Sequence, residues 1–208
     1  MQAAPSVGDW LRHWLYDWGG ANADIFLSIN SALPDGLIWL PEALTWLGSY
    51  WGAPAAAATL WLTCRSLSGK ELAAARLTLG RFLVGLALAM TSGAVAKMAF
   101  AFPRPWNALG DRVFRVVGTP DSHYTLPSGH STYVAVLAAA LWPLLNWPAR
   151  FALLVFAVGV GWSRIALGAH FPADVLAGFV LGWVCVAAAG PLARRVAPRI
   201  PLAGGAAR

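Results

Sequence analysis

Residues 151–190 read FALLVFAVGVGWSRIALGAHFPADVLAGFVLGWVCVAAAG. Two apolar stretches, from about Phe151 to Gly168 and from about Ala173 to Ala193, flank a short polar segment at residues 163–174. Each stretch approaches the roughly 20 apolar residues that a helix needs to cross a bilayer. The sequence therefore predicts two membrane-spanning helices joined at one membrane face, with the polar segment at the joint.

Three further spans are predicted by the same criterion, from about Ala43 to Cys64, Leu77 to Phe102 and Ser128 to Asn146. The run from Ile25 to Leu40 is broken at Pro34 and is either interfacial, re-entrant or a sixth helix. The apolar fraction of 58% and the charged fraction of 12% lie outside the balance of a soluble globule. We therefore expect an all-α, polytopic membrane helical bundle of five transmembrane helices, with the sixth left open.

The N-terminal region, residues 1–35, is predicted to be an interfacial segment of a single integral-membrane domain over residues 1–208, because no polar linker divides the chain. It carries apolar side chains at the spacing of an amphipathic helix, namely Trp10, Leu11, Trp14, Leu15 and Trp18. A loosely ordered tail is the alternative. The region lacks the basic start of a secretory signal peptide, so we expect the mature protein to keep it.

The distribution of lysine and arginine predicts the orientation, because basic loops are retained on the cytoplasmic side. One side of the predicted bundle holds nine of the fifteen basic residues: Arg65, Lys70, Arg76, Arg81, Arg150, Arg194, Arg195, Arg199 and Arg208. The other six lie on the opposite side, which we therefore expect to be the outer face of the membrane. Since the basic residues form no continuous stripe, we do not expect a nucleic-acid partner despite the net charge of +6.

Two polar clusters precede the segment at residues 163–174. Lys97 lies in an apolar run, where a charge costs about 2.5 to 3.5 kcal/mol, and Arg104 stands between two prolines that stiffen the backbone. A guanidinium matches the geometry of phosphate oxygens. A snorkelling lysine and an ordinary basic loop end are the alternatives for these two residues.

The second cluster is Pro127-Ser128-Gly129-His130, which predicts a helix start. Serine is a favourable N-cap, and the exposed amides of a first helical turn attract anions that glycine allows to approach closely. His130 would lie in that first turn. A helix cap beside an interfacial histidine is the alternative interpretation.

The third cluster is Ser163-Arg164, followed by His170 and Asp174. Pro172 favours a helix start, which would place Asp174 in the first turn, folded back towards His170. A carboxylate that holds one imidazole nitrogen leaves the other free to attack, as in nucleophilic triads. A structural histidine–aspartate pair that caps the helix is the alternative.

Together the three clusters resemble the signature of the type 2 phosphatidic acid phosphatase superfamily, which includes vanadium haloperoxidases. Every signature position is filled. The resemblance implies that His170 is the nucleophile, that Asp174 orients it and that His130 protonates the leaving oxygen and later activates water. It further implies five phosphate-binding residues: Lys97, Arg104, Ser128, Gly129 and Arg164.

The activity implied by this resemblance is hydrolysis of a lipid phosphate through a phosphohistidine, with no metal and no cofactor, because fixed cations replace the metal. Undecaprenyl diphosphate is the favoured substrate, and phosphatidylglycerol phosphate, phosphatidate and lipid A phosphates are alternatives. A lipid-to-lipid phosphotransferase would use the same residues. An anion-binding transporter or scaffold is the non-enzymatic alternative, which the absence of internal repeats disfavours. Gly178 and Gly182 indicate either helix packing or a dimer face.

Overall fold

The computed structural model describes Trp10 and residues 12–110, 114–118 and 122–201. Regular structure in these ranges is helical, apart from an isolated bridge between Pro103 and Tyr124. The α-helices are α1 (Ala21–Ser31), α2 (Trp39–Leu47), α3 (Ala53–Ser66), α4 (Gly69–Phe100), α5 (Pro105–Ala108), α6 (Gly129–Leu141), α7 (Trp147–Ala166) and α8 (Pro172–Val196). Short 3-10 turns cover Trp18–Gly20, Asp35–Leu37, Tyr50–Gly52, Trp142–Leu144 and Ala197–Arg199. The predicted all-α class is confirmed.

Three helical segments in the described part of the chain are long and apolar enough to cross a membrane: Gly69–Phe100, Trp147–Ala166 and Pro172–Arg199. They correspond to the second, fourth and fifth predicted spans. At about 1.5 Å per residue, the 32 residues of α4 extend for about 48 Å, which exceeds the hydrocarbon thickness.

The predicted span from Ala43 to Cys64 is wrong as a single helix, because the chain turns between α2 and α3. The turn follows from the local sequence. Gly48 packs so closely on α7 that a Cβ there would lie 2.5 Å from Val160. Ser49 is extended, and its side chain accepts a hydrogen bond from the Trp51 amide. Pro54 is in the first turn of α3. The α3 helix has only 14 residues.

The predicted span from Ser128 to Asn146 is also shorter than expected, because α6 has 13 residues and ends before the turn that contains Pro143. Its side chains pack on the surrounding α4, α7 and α8, where Tyr133, Val134 and Val136 belong to the main hydrophobic core. A helix enclosed by protein has no need to match the bilayer thickness. Hydropathy alone does not distinguish it from a lipid-facing helix.

The run from Ile25 to Leu40 is divided between α1, a turn at Asp35–Leu37 and the start of α2. No described helix in this run is long enough to cross a bilayer. Before it, Arg12–Tyr16 forms one π-helical turn, with Trp14 and Leu15 exposed and Tyr16 buried. Residues 1–9 and Leu11, which belong to the predicted interfacial segment, lie outside the described part, and the interfacial position stays a prediction.

Close packing of α6 against α8 brings the polar clusters together. A Cβ at Gly178 would lie 2.6 Å from the Ser128 carbonyl oxygen, and one at Gly182 would lie 2.6 Å from the Ala135 Cβ. Both glycines therefore serve internal helix packing, one of the two interpretations open from sequence. The contact sets the start of α6 beside the start of α8.

Candidate active site

One end of the bundle contains a cavity of about 550 Å³ where residues from all three clusters meet. The predicted site residues that line it are Lys97, Arg104, Gly129, His130, Arg164 and His170. Ser128 and Asp174 are fully buried and do not line the cavity. Among the described lining residues Glu42 is the one acid, so basic groups predominate. We call this cavity the histidine pocket.

His170 lies in the connection between α7 and α8, and its backbone amide donates to the Arg164 carbonyl oxygen at 3.2 Å. The connection needs Gly168, whose φ is +78° and where a Cβ would lie 2.1 Å from the Arg115 carbonyl oxygen. This sharp turn reverses the chain between the two long helices. It holds the imidazole at the bundle end, 3% exposed.

The two nitrogens of the His170 ring have different partners. Nε2 lies 3.4 Å from Arg104 Nη1, and because a guanidinium can only donate, Nε2 is assigned as the acceptor. The ring proton is then on Nδ1, which lies 3.1 Å from Thr125 Oγ1 and 3.5 Å from Asp174 Oδ2. This assignment leaves the lone pair of Nε2 on the side of the cationic groups.

Thr125 bridges the imidazole and the carboxylate. Its fully buried hydroxyl contacts His170 Nδ1 and donates to Asp174 Oδ2. The sequence predicted a direct contact between Asp174 and His170, which is present but long at 3.5 Å. Nothing in the local sequence distinguishes this threonine, so sequence reasoning missed it.

Asp174 is held by further donors on both oxygens. The Phe171 amide donates to Oδ2 at 2.8 Å, which confirms that Asp174 folds back over the first turn of α8. The Tyr16 hydroxyl donates to Oδ1 at 2.9 Å. Burial, and then the Asp174 charge, raises the pKa of Tyr16, so the phenol stays protonated and remains a donor. Tyr16 was predicted only as part of an interfacial segment.

The three predicted cations are oriented by neutral oxygens. Arg104, 3% exposed, donates from Nε to the Ser122 carbonyl at 2.7 Å and from Nη1 to the Ala169 carbonyl at 2.9 Å. Lys97 Nζ donates to the Tyr124 carbonyl at 3.0 Å. Arg164 Nη1 donates to Thr45 Oγ1 at 3.2 Å. These contacts fix the direction of each charge.

The start of α6 has the predicted form, with Ser128 as N-cap, Gly129 as the first residue and His130 in the first turn. The predicted role of Ser128 as a phosphate contact stays a prediction, and the structure shows its present partners. Its hydroxyl accepts from Ser131 Oγ at 3.1 Å, and its amide donates to the Asp174 carbonyl at 3.0 Å. In this structure Ser128 joins two clusters, whereas Gly129 lines the pocket.

Two further residues, Thr45 in α2 and Tyr50 in the turn that follows it, complete the wall of the histidine pocket. Thr45 contacts both Arg164 Nη1 and Ser163 Oγ, and the Tyr50 ring lies edge-on to the His130 ring at 5.6 Å. Sequence reasoning assigned both residues to a spanning helix. The available signal was the group Ser49-Tyr50 beside Gly48, which interrupts an otherwise apolar run.

The charge environment of His170 favours a neutral imidazole. Burial lowers its pKa well below 6.5, and the nearby charges of Arg104, Arg164, Lys97 and His130 lower it further. A neutral ring with Nδ1 protonated retains a nucleophilic lone pair at neutral pH. Within the described ranges, no three His, Cys, Asp or Glu side chains are grouped as metal ligands.

Comparison with known proteins gives a family match over residues 78–195, more than half of the 208 residues, to the model described as the PAP2 superfamily. The undecaprenyl-diphosphatase of Sulfolobus acidocaldarius is 33% identical over 105 residues, which cover 49% of each chain. The phosphatidylglycerophosphatase B of Escherichia coli is 38% identical over 80 residues, 36% of this chain and 32% of the relative. The matches thus span half or less of these relatives.

A solved structure supports the fold independently. The crystal structure of LpxE from Aquifex aeolicus superposes with a TM-score of 0.69, covering 81% of this chain and 94% of that chain. Because the two sequences are only 24% identical, the likeness concerns the helical fold.

Proposed function

Because the chain belongs to the PAP2 superfamily, as its three clusters predicted, we propose that it is a membrane lipid phosphatase that removes a terminal phosphate from a lipid phosphate or diphosphate. The observation that carries the proposal is the meeting of His170, its Thr125–Asp174 support and three oriented cations in one pocket. The alternative interpretations, a helix cap at Ser128 and a snorkelling lysine at Lys97, do not require these residues to meet in one pocket.

In the proposed first step, His170 Nε2 attacks the phosphorus atom. The N–P bond forms as the bond to the leaving oxygen breaks, and His130 gives that oxygen a proton. The phosphorylated ring, still protonated on Nδ1, carries positive charge that the buried Asp174 carboxylate stabilises through Thr125. In the second step His130 takes a proton from water, the water oxygen bonds to phosphorus, and the N–P bond breaks.

Negative charge on the transferred phosphoryl group is balanced by Lys97, Arg104 and Arg164, together with the amides at the start of α6. Groups that are already oriented stabilise a transition state without reorganisation during the reaction. The hydrogen bonds of these cations to carbonyl and hydroxyl oxygens support this role. Ser128 contributes by fixing the helix start.

The apolar flank of the histidine pocket supports a lipid substrate. Trp46 and Trp51 line the pocket and are 78% and 76% exposed, as side chains that face lipid would be. Met90 also lines it, seven residues before Lys97 and thus about 10 Å deeper along α4. A phosphate can then reach the cations while its chain stays in the bilayer.

We favour undecaprenyl diphosphate as the substrate, supported by the similarity to the Sulfolobus protein named for that activity. Phosphatidylglycerol phosphate, phosphatidate and lipid A phosphates remain the alternatives to compare. We place the protein in a bacterial inner membrane as a multi-pass protein, with the histidine pocket at the outer face. The excess of basic residues at the opposite end of the bundle supports this orientation.

The test is phosphate release by purified full-length protein in EDTA, with polyprenyl diphosphate, phosphatidylglycerol phosphate, phosphatidate and lipid A phosphate as substrates. We expect turnover without added metal, fastest on the polyprenyl diphosphate. Product analysis with a second lipid present distinguishes hydrolysis from phosphotransfer. If no member of the panel releases or transfers phosphate, the proposed activity is wrong.

A further inference from the structure

The end of the bundle away from the histidine pocket contains a second cavity of about 350 Å³. Two guanidinium side chains, Arg81 from α4 and Arg194 from α8, line this cavity. Its other lining residues include Trp183 and Ala139. We call this cavity the arginine pocket. Its volume is within the usual range for small-ligand sites.

The position of the arginine pocket follows from helix geometry. Arg81 precedes Lys97 by sixteen residues on α4, which corresponds to about 24 Å along the helix. Arg194 follows Asp174 by twenty residues on α8, or about 30 Å. Because the hydrocarbon core is about 30 Å thick, the two pockets lie near opposite membrane faces.

The two arginines differ from Arg65 and Arg150 at this end of the bundle. Arg65 lies over the Trp61 ring, and Arg150 donates to the Trp142 carbonyl. Across the described residues, Arg81 and Arg194 have neither a hydrogen-bond acceptor nor a carboxylate partner, and no acidic residue lines their cavity. Two positive charges that share a cavity repel each other, and an anion between them would offset this repulsion by attracting both.

Backbone features keep the arginine pocket open. Gly190 has no side chain, and Arg194 Nη1 lies only 3.6 Å from where a Cβ would be, so the guanidinium folds over this residue. Trp183, 39% exposed, adds an aromatic surface of the kind found at membrane–water interfaces. The pocket thus combines paired cations with an apolar, lipid-accessible wall.

We propose that the arginine pocket binds the phosphate group of an anionic phospholipid from the leaflet opposite to the histidine pocket. Basic pockets between membrane helices suit such head groups, whose acyl chains remain in the bilayer. The site is separate from the catalytic residues. Its existence does not depend on the proposed reaction.

The experiment measures phosphatidylglycerol binding to the full-length protein by native mass spectrometry, with phosphatidylcholine and inorganic phosphate as separate probes. The test variant is the double substitution Arg81→Gln and Arg194→Gln. Arg195→Gln is the matched control, since Arg195 is an exposed neighbour on α8 outside the cavity. A further variant, Arg81→Lys with Arg194→Lys, keeps both charges.

We expect phosphatidylglycerol to bind the test variant about 30-fold more weakly, the effect of removing two cations near a lipid surface, and the Arg195 control to bind unchanged. The lysine variant should retain most of the binding. The thermal unfolding temperature of the test variant, compared with that of the wild type, serves as the check on folding. Equal binding of phosphatidylglycerol and phosphatidylcholine, equal loss in the control, or equally strong binding of inorganic phosphate would overturn the proposal.

Discussion

The histidine pocket and the arginine pocket both gather cations at an end of the same helices, but they hold them differently. In the histidine pocket Lys97 and Arg104 donate to backbone carbonyls, and Arg104 is 3% exposed. In the arginine pocket Arg194 is exposed and Arg81 is partly so, with no acceptor among the described residues. Cations that are held in a fixed direction can stabilise a transition state without reorganisation. Cations that no acceptor holds can still bind an anion.

The largest expected difference between the pockets concerns the nucleophile. His170→Ala should lower kcat for phosphate release by about 10⁴-fold or more, because no other group would form the covalent intermediate. Trapping with phosphate-labelled substrate should label wild-type protein and not this variant. His123→Ala, in an exposed loop outside the pocket, is the control and should keep wild-type activity. Substantial phosphate release by the His170 variant would refute the nucleophile assignment.

The same conservative substitution in each pocket tests whether orientation matters. Arg104→Lys keeps the charge but loses the forked contacts to Ser122 and Ala169, so kcat/KM should fall by about 10²- to 10³-fold. Arg81→Lys should leave kcat/KM unchanged. Steady-state kinetics on the preferred lipid measures both. Similar small losses in the two variants would show that charge alone is sufficient in the histidine pocket.

Thr125 tests the bridge behind the nucleophile. Thr125→Val removes the hydroxyl between His170 and Asp174 at nearly constant volume, and we expect kcat to fall by about 10- to 100-fold with little change in KM. Thr125→Ser should restore most of the rate, because it returns the hydroxyl. A valine variant with the wild-type rate would mean that the direct contact at 3.5 Å is sufficient.

The residues of the histidine pocket could be recognised in the sequence because they stand out from the apolar segments around them. Lys97 is a charge in an apolar run, and Pro172 marks a helix start close to His170 and Asp174. The charge carries a free-energy cost that can be recognised from the sequence, and the proline is a favoured first residue of a helix. The family was predicted from the resemblance of the three clusters to a known signature. Their placement at one membrane face was predicted from span lengths and charge.

Other features depended on tertiary contacts that a linear pattern does not contain. Tyr16 and Asp174 are separated by 158 positions, and neither Tyr16 nor Thr125 is unusual where it stands. The break after α2 depends on the contact of Gly48 with Val160. The short α6 depends on enclosure by other helices, whereas hydropathy counts only its own residues.

Tyr16→Phe probes the outermost support of the site and should have a smaller effect than Thr125→Val. It removes one hydrogen bond to a buried carboxylate, which corresponds to about 1.5 kcal/mol, or roughly tenfold in kcat. Tyr124→Phe is a control with a 40% exposed side chain. If Tyr16 only tethers the interfacial turn, Tyr16→Phe will change thermal stability while kcat stays unchanged.

The smallest expected effect is a displacement of the pH profile, which tests the cationic surroundings of His170. Burial and the charges of Arg104, Arg164, Lys97 and His130 lower the pKa of His170, and the carboxylate of Asp174 faces its other nitrogen. Since only the neutral ring attacks, the acid limb of kcat/KM should lie below pH 6.5.

Arg164→Gln removes one of those cations, so the pKa of His170 should rise and the acid limb should move to higher pH. Arg81→Gln, about 24 Å from the histidine pocket along α4, should leave the limb in place because a charge at that distance is largely screened. The pH at half-maximal kcat/KM separates this displacement from any loss of rate. A limb that stays fixed or moves to lower pH in the Arg164 variant would show that its charge does not act on the nucleophile.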